Sequence, residues 1–357
     1  MNQHPLTVVA APNSGPATHA PGPSGATIVI PVCNDWNALR LLLCSLDAVA
    51  GDRNHQLDIL IVDDGSATLP PPGLVDPHAH RHIASIELLT LKRNLGHQRA
   101  IAVGLAHLQQ RGRRHVVVVM DGDGEDDPAD VPRLLKRAED LGLRSVVFAE
   151  RTTRSEGPGF RAGYLAYRML HRLATGHAVR VGNFSALPPR CLESLAVSPE
   201  LWNHYAAAVI RSRMPFDLVP TRRRKRLDGR SRMNFVSLVI HGLSSVSVFG
   251  DVVGARLLVA TTALSGLCGL LAGGAALLPA TPSPWAGAAS FLLGGLAVLG
   301  LHAAIVAGLV LLVILDSRSR GAFIPARDAP QFVLRSEVLH EAFRENEDPR
   351  PRLGAAA

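Results

Sequence analysis

The sequence predicts an α/β protein with a membrane-anchored end, and three observations carry that prediction. Apolar strand segments and helical segments alternate five times between Ala26 and Ala149, the pattern of a doubly wound sheet. The fourth strand segment runs straight into Asp121, Asp123, Glu125, Asp126 and Asp127. From Leu257 to Leu315 no Asp, Glu, Lys or Arg occurs, a run long enough for two crossings of about 20 residues each.

Each element follows from local pattern. Ala26–Val32 is a short apolar strand, and Asn34-Asp35 can cap a helix beginning near Trp36. Leu39, Leu42, Leu43 and Leu46 recur at helical spacing and give that helix one buried face. Leu57–Val62 is the second strand and ends in the tight turn Asp63-Asp64-Gly65-Ser66. Ile86–Leu91 is the third, followed by Asn94-Leu95-Gly96-His97 and a helix carrying Ile101, Leu105 and Leu108. The four valines Val116–Val119 read as a strand buried on both faces. Pro128 opens a helix to about Leu141, and Ser145–Ala149 is the fifth strand.

Residues 151–195 are less regular. Arg151, Arg154, Arg161, Arg168 and Arg172 stud a loop and a helix starting near Pro158, and Gly182–Ser185 reads as a turn. Pro215–Arg226 reads as extended chain, and Met233–Val253 as an amphipathic helix with Phe235, Leu238, Val239, Leu243, Val246 and Phe249 on one side. Behind a basic cluster such a helix suits the membrane interface. Two spans follow, near 257–278 and 286–315, with Pro279, Pro282 and Pro284 turning between them. Trp285 suits an interfacial position, and His302 in the second span suits helix packing. Residues 321–357 read as a polar tail with one short helix near Val333–Phe343.

The acids after the fourth strand carry the chemistry. Parallel sheets bind ligands at the carboxyl ends of their strands. Asp121 and Asp123 point the same way if the extended geometry persists. Two hard oxygen ligands suit Mg²⁺ or Mn²⁺, which in turn suits a diphosphate. The competing reading is a solvated capping turn. A calcium loop of the EF-hand type fails, because its sixth position is Asp126 and its twelfth is Pro132.

The net charge is +7. Nine basic residues between Arg211 and Arg232 face only Asp217 and Asp228, so nine minus two accounts for all of that excess. Basic residues beside a span fix topology and bind anionic lipid, and they place both ends of the hairpin and the folded domain in the cytoplasm. No nucleic-acid partner is expected. Cys33, Cys44, Cys191 and Cys268 lack C-x-x-C spacing and read as reduced core thiols. Residues 1–25 are rich in Pro, Ala, Gly and Ser, show no signal peptide and read as a disordered tail.

Together, Ile28-Val29-Ile30-Pro31, Val62–Ser66, Asn94-Leu95-Gly96 and Met120–Pro128 resemble, in order, the family 2 glycosyltransferases with the GT-A (Rossmann-like) fold. Arg226-x-x-Gly229-x-Ser231-Arg232, followed by an interfacial helix and two spans, resembles the family's polyprenyl-phosphate branch. The resemblance covers roughly residues 26–316. It implies a nucleotide pocket at Pro31, Asp63, Asp64 and Asp121, and a metal held by Asp121, Asp123 and Glu125. It implies acceptor-phosphate contacts at Arg151, Arg161, Arg168, Arg226, Ser231 and Arg232, with Asp123 and Asp126 nearest the chemistry. Glu125 stands where the branch has Gln, and Gly122 and Gly124 where it has Ala and Leu.

The expected organisation is a catalytic domain over 26–231, an interfacial helix over 232–254, two spans over 255–316 and a cytoplasmic tail over 317–357. The expected function is inverting sugar transfer from a UDP- or GDP-sugar to a polyprenyl phosphate such as undecaprenyl or dolichyl phosphate, at the bacterial inner membrane. A homo-oligomer is allowed and not required. The alternatives are a membrane transferase using a diacylglycerol or glycan hydroxyl, and a non-catalytic nucleotide-binding scaffold.

Overall fold

The computed structural model describes residues 25–53, 56–112, 115–151, 169–177, 181–229, 235–277, 284–319 and 322–342. The tail before Gly25, Pro158, Arg161, Arg168, Ser231, Arg232, Pro279 and Pro282 lie outside the described residues.

The first five strands are β1 (Gly25–Val32), β2 (Gln56–Asp63), β3 (Ile83–Leu91), β4 (Val116–Val119) and β5 (Val146–Arg151). Between them run α1 (Trp36–Arg53), α2 (His97–Gln110) and α3 (Val131–Asp140), as the spacing predicts. Three further strands complete the sheet: β6 (Ser185–Leu187), β7 (Phe216–Thr221) and β8 (Val333–Glu341). The order is β7-β5-β6-β4-β1-β2-β3-β8. β3, β2, β1 and β4 are parallel, whereas β6 lies antiparallel between β4 and β5, and β8 lies antiparallel on β3. The sheet is therefore mixed, and the turn read at Gly182–Ser185 leads directly into β6.

Alternation sets the layers. Ile28, Ile30 and Val32 of β1 pack with Leu39, Leu42, Leu43 and Leu46 of α1 and Leu134 of α3. Val29 faces the other layer with Ile101 and Leu105 of α2. That layer also holds α4 (Pro189–Ala196) and α5 (Tyr205–Arg211). The valines of β4 are buried on both faces, as their run of apolar side chains predicts. Cys191 and Cys268 are buried, but Cys44 is exposed on the outer side of α1, so the core reading fails for that thiol.

The amphipathic helix read over 233–253 is interrupted. α6 (Phe235–Ser247) presents Val239, Ile240 and Leu243 to the exterior. Val248 and Phe249 then turn inward and pack against Ala207 of α5, so Phe249 anchors the domain instead of facing lipid. An upstream helical stretch over 169–175 also exposes Met169, Leu170 and Leu173. It is tied to α6 by His171 Nε2 and Ser245 Oγ, 3.2 Å apart.

Two helices follow, α7 (Gly250–Leu277) and α8 (Pro284–Ser319). Their apolar windows, Gly250–Ala275 and Gly287–Ser317, are each only 6% buried, so they are not core helices of a soluble domain. Small residues let them approach: Gly300 meets Ser265, whose hydroxyl donates to the Ala297 carbonyl at 2.5 Å. Within α8, His302 Nδ1 lies 2.8 Å from the Val298 carbonyl oxygen, a bond inside its own helix.

The segment after α8 corrects the sequence reading. Val333–Glu341 is a strand and not a helix, and it closes the sheet at β3. Both flanks of the α7–α8 hairpin thus belong to one sheet, so the chain leaves and returns to the same domain. Trp202 stacks on Phe332 and lies against Phe323. Glu87 of β3 joins the strands and α2: it takes bonds from His107 (2.8 Å), Arg111 (2.7 Å) and Ser336 of β8. Burial alone would raise its pKa, but these partners outweigh burial and hold it below the ordinary 4.5. A carboxylate depressed in the folded state stabilises fully above its unfolded pKa, and that contribution is lost as pH falls through the lower folded value. Amide exchange in β8 is therefore expected to quicken between about pH 5 and pH 3, beyond its intrinsic trend. Glu87→Gln is expected to remove that extra acid sensitivity.

Candidate functional site

The acidic loop leaves β4 and at once stops being extended. Gly122 and Asp123 form a turn, and Gly124 has φ +73°. Asp121 and Asp123 meet different partners. Asp121 faces the start of α2, with Oδ1 3.2 Å from His97 Nε2 and 3.4 Å from Asn183 Nδ2. Asp123 faces the segment after β7: its Oδ1 accepts from Glu125 N at 3.0 Å, and its Oδ2 lies 3.1 Å from Arg226.

That segment is a basic strap laid along the acidic loop. Arg226 reaches Asp35 with its second terminal nitrogen at 2.6 Å, so one guanidinium bridges two carboxylates. Arg223 pairs with Glu125, and Arg224 with Asp127 at 3.3 Å. The backbone follows suit: Arg224 N donates to the Glu125 carbonyl at 2.8 Å, and Leu227 N to that of Asp123 at 3.1 Å. Gly124 permits this contact, because a methyl group there would run into the Leu227 side chain. Asp35, expected as a helix cap, is thus drawn into the site. Its neighbour Asn34 ties two loops together by accepting from Ala67 N at 2.8 Å.

The other anticipated residues fall around this pair. Asp126 is buried, with Oδ2 3.4 Å from Asp121 N, and so shapes the loop from beneath. Asp127 caps the next helical turn by accepting from Ala129 N at 3.1 Å. Asp63 accepts from Ser66 N at 2.9 Å. Asp64 accepts from Leu95 N (2.7 Å) and Gly96 N (2.9 Å). Burial raises the Asp64 pKa, against those two amides. Both carboxylates therefore brace the turns at the ends of β2 and β3. Pro31 is buried beneath Gly122. Arg151 ends β5 opposite Thr221, beside the strap.

Gly65 joins these turns. Its φ is +63°, and a methyl there would strike the Arg93–Asn94 peptide. Gly65→Ala is expected to cost about 2 kcal/mol or more, combining left-handed strain with a backbone clash. Chemical denaturation of the purified protein checks this; a loss within experimental error would show that the turn yields freely.

His97, Gln98 and Asp35 do not stand out as site residues in the sequence, and Asn183 appears there only within the turn Gly182–Ser185. His97 follows the quoted Asn94-Leu95-Gly96 motif, but nothing in spacing shows that it meets a residue near position 183. Burial opposes charge on His97, and Asp121 and then Asp64 and Asp123 favour it, leaving the pKa above its ordinary value. With two-fifths of the side chain open to solvent, the carboxylates rather than burial set that direction.

A divalent cation fits two of the three anticipated ligands. Asp121 and Asp123 offer hard oxygens and are partly exposed, at 28% and 19% of their side chains. Glu125 does not join them, because Arg223 draws it to the strap. Among the described residues no three carboxylate, imidazole or thiol groups are gathered as a ready ligand set.

The sequence model described as Glycosyl transferase family 2 matches residues 27–187, the span from β1 to β6 that frames this loop. Residues 27–187 are thus similar to a family 2 glycosyltransferase domain. Over 113 residues it is 33% identical to an undecaprenyl-phosphate 4-deoxy-4-formamido-L-arabinose transferase of Pseudomonas fluorescens, a match covering 32% of each chain. That match spans about a third of the relative's length. A protein of the same description from Edwardsiella ictaluri is 26% identical over 246 residues, covering 64% of this chain and 72% of the relative. Among solved structures, mannosyl-3-phosphoglycerate synthase from Rubrobacter xylanophilus aligns with a TM-score of 0.44 and 14% identity, covering 63% of this chain and 72% of the other.

Proposed function

We propose that the protein is a membrane-bound inverting glycosyltransferase that moves a sugar from a UDP- or GDP-sugar to a polyprenyl phosphate. The observation that carries this reading is the strap. Arg223, Arg224 and Arg226, between β7 and the first apolar helix, pair with Glu125, Asp127 and Asp123 of the loop after β4. Phosphate-binding cations, the membrane boundary and the acidic loop thereby meet in one place. The two relatives described as undecaprenyl-phosphate transferases support the acceptor class. The exposed apolar residues of α6 and of 169–175 support a domain seated on the bilayer. The return of β8 to the sheet, with basic residues flanking both spans, supports a domain on the cytoplasmic side of the membrane; a bacterial inner membrane is part of the same proposal.

A divalent cation, Mg²⁺ or Mn²⁺, would be held by Asp121 and Asp123 and would supply neutralisation of charge on the departing nucleoside diphosphate. The chain's own residues do the rest. Arg226, flanked by Arg223 and Arg224, receives the lipid phosphate and carries it toward the acidic pocket. A phosphate monoester has a second pKa of about 6, so at neutral pH its oxygen is already anionic and no strong general base is required. Asp123 and Asp126 then shape and polarise the pocket. Arg151, Arg161, Arg168, Ser231 and Arg232 are assigned to the acceptor side, and Pro31, Asp63 and Asp64 to the nucleotide side.

The test is turnover of labelled UDP- and GDP-sugars by the detergent-purified full chain with Mg²⁺ or Mn²⁺ and undecaprenyl phosphate. Transfer of label to lipid from one donor supports the reading. Donor consumption only with a diacylglycerol or glycan acceptor contradicts it, and absence of any donor binding would favour a scaffold.

A further inference from the structure

One hydrogen-bond chain behind Asp121 has its polarity fixed by the backbone. Tyr205 N can only donate, and it donates to Gln98 Oε1 at 2.8 Å. Gln98 must therefore present its amide nitrogen at the other end, where Nε2 meets Asn183 Oδ1 at 3.0 Å. Asn183 in turn can only present its own NH₂ to the site, 2.8 Å from His97 Nε2 and 3.4 Å from Asp121 Oδ1. Gln98 and Asn183 are both about nine-tenths buried, and reversing the pair would set Gln98 Nε2 against the fixed donor Tyr205 N. Behind them, Ser185 and Tyr205 are fully buried and joined by a 2.7 Å bond, which holds β6 and α5 in place.

We propose that Gln98 and Asn183 are positioning residues: the wired amide of Asn183 keeps an N–H donor on Asp121 and so orients that carboxylate for a divalent cation. This rests on the reading of Asp121 as a cation ligand. The polarity sets a donor beside Asp121 Oδ1. It also makes Gln98 consequential although it touches neither substrate nor ion.

Mn²⁺ binding to the purified full chain without nucleotide, followed by electron paramagnetic resonance, tests this. Asn183→Leu removes the donor, and Gln98→Leu leaves Asn183 in place but frees its orientation. Partners of a metal ligand typically carry about 10- to 100-fold in metal affinity. Asn183→Leu is expected to weaken Mn²⁺ binding by that factor, and Gln98→Leu by a smaller one, at a temperature where both variants remain folded. A purely structural pair would lower the melting temperature and leave Mn²⁺ affinity unchanged, which overturns the proposal. Should Asn183→Leu not fold, Gln98→Leu decides by the same criterion. A wild-type chain that binds no Mn²⁺ overturns both this proposal and the cation reading, whereas a wild type that binds it beside unchanged variants overturns the positioning role alone.

Discussion

Asp123→Asn is expected to lower sugar transfer by about a thousandfold or more while leaving the fold intact. Asp123 sits at the turn of the acidic loop with one oxygen on Glu125 N and the other on Arg226. Asparagine keeps an acceptor for the Glu125 amide, so the turn survives. The lost group is the anion that a divalent cation needs, and electrostatic contributions of this kind are worth several kcal/mol in the transition state. Steady-state rates beside a thermal melt check both halves. A variant with activity within tenfold of wild type would remove Asp123 from the chemistry. A variant that fails to fold would make it structural.

Arg226→Met is expected to reduce kcat/KM for the lipid phosphate by about a hundredfold or more, with much less effect on nucleotide-sugar affinity. Among the described residues of the strap, Arg226 is the arginine that bridges two acids, Asp35 and Asp123. Its guanidinium can hold a phosphate and a carboxylate together, because its planar fork serves two acceptors at once. Arg226→Lys keeps the charge but loses the fork, and an intermediate loss is expected. Kinetics at varied lipid and fixed donor, then the reverse, separate the two substrates. A loss confined to donor KM would move Arg226 to the nucleotide side.

Legibility in the sequence follows the range of the interactions. β1 to β5 and their helices are readable because each is set by local periodicity, and the register of β1 on β2 and β4 needs only neighbouring runs of apolar residues. β6 has three residues and no alternation to read, so its insertion between β4 and β5 is invisible in the sequence. β8 is an edge strand with mostly exposed side chains, and without a buried face its pattern suits a helix as well as a strand. The acids at the end of β4 are legible as a cluster. What each one meets is not, since Arg226 lies 103 residues from Asp123 and 191 from Asp35. The turn at Gly122 and Asp123 ends the extended geometry, so strand alternation cannot tell what Asp121 and Asp123 meet.

The central claim is that a lipid phosphate, and not a hydroxyl, attacks the sugar. The most direct measurement offers the purified chain undecaprenyl phosphate and undecaprenol in turn, with the same nucleotide-sugar, and weighs the products by mass spectrometry. The account predicts one sugar added to the phosphate lipid, joined through a single phosphate, and no product from the alcohol. A glycosylated alcohol, or a product retaining two phosphates, would contradict it.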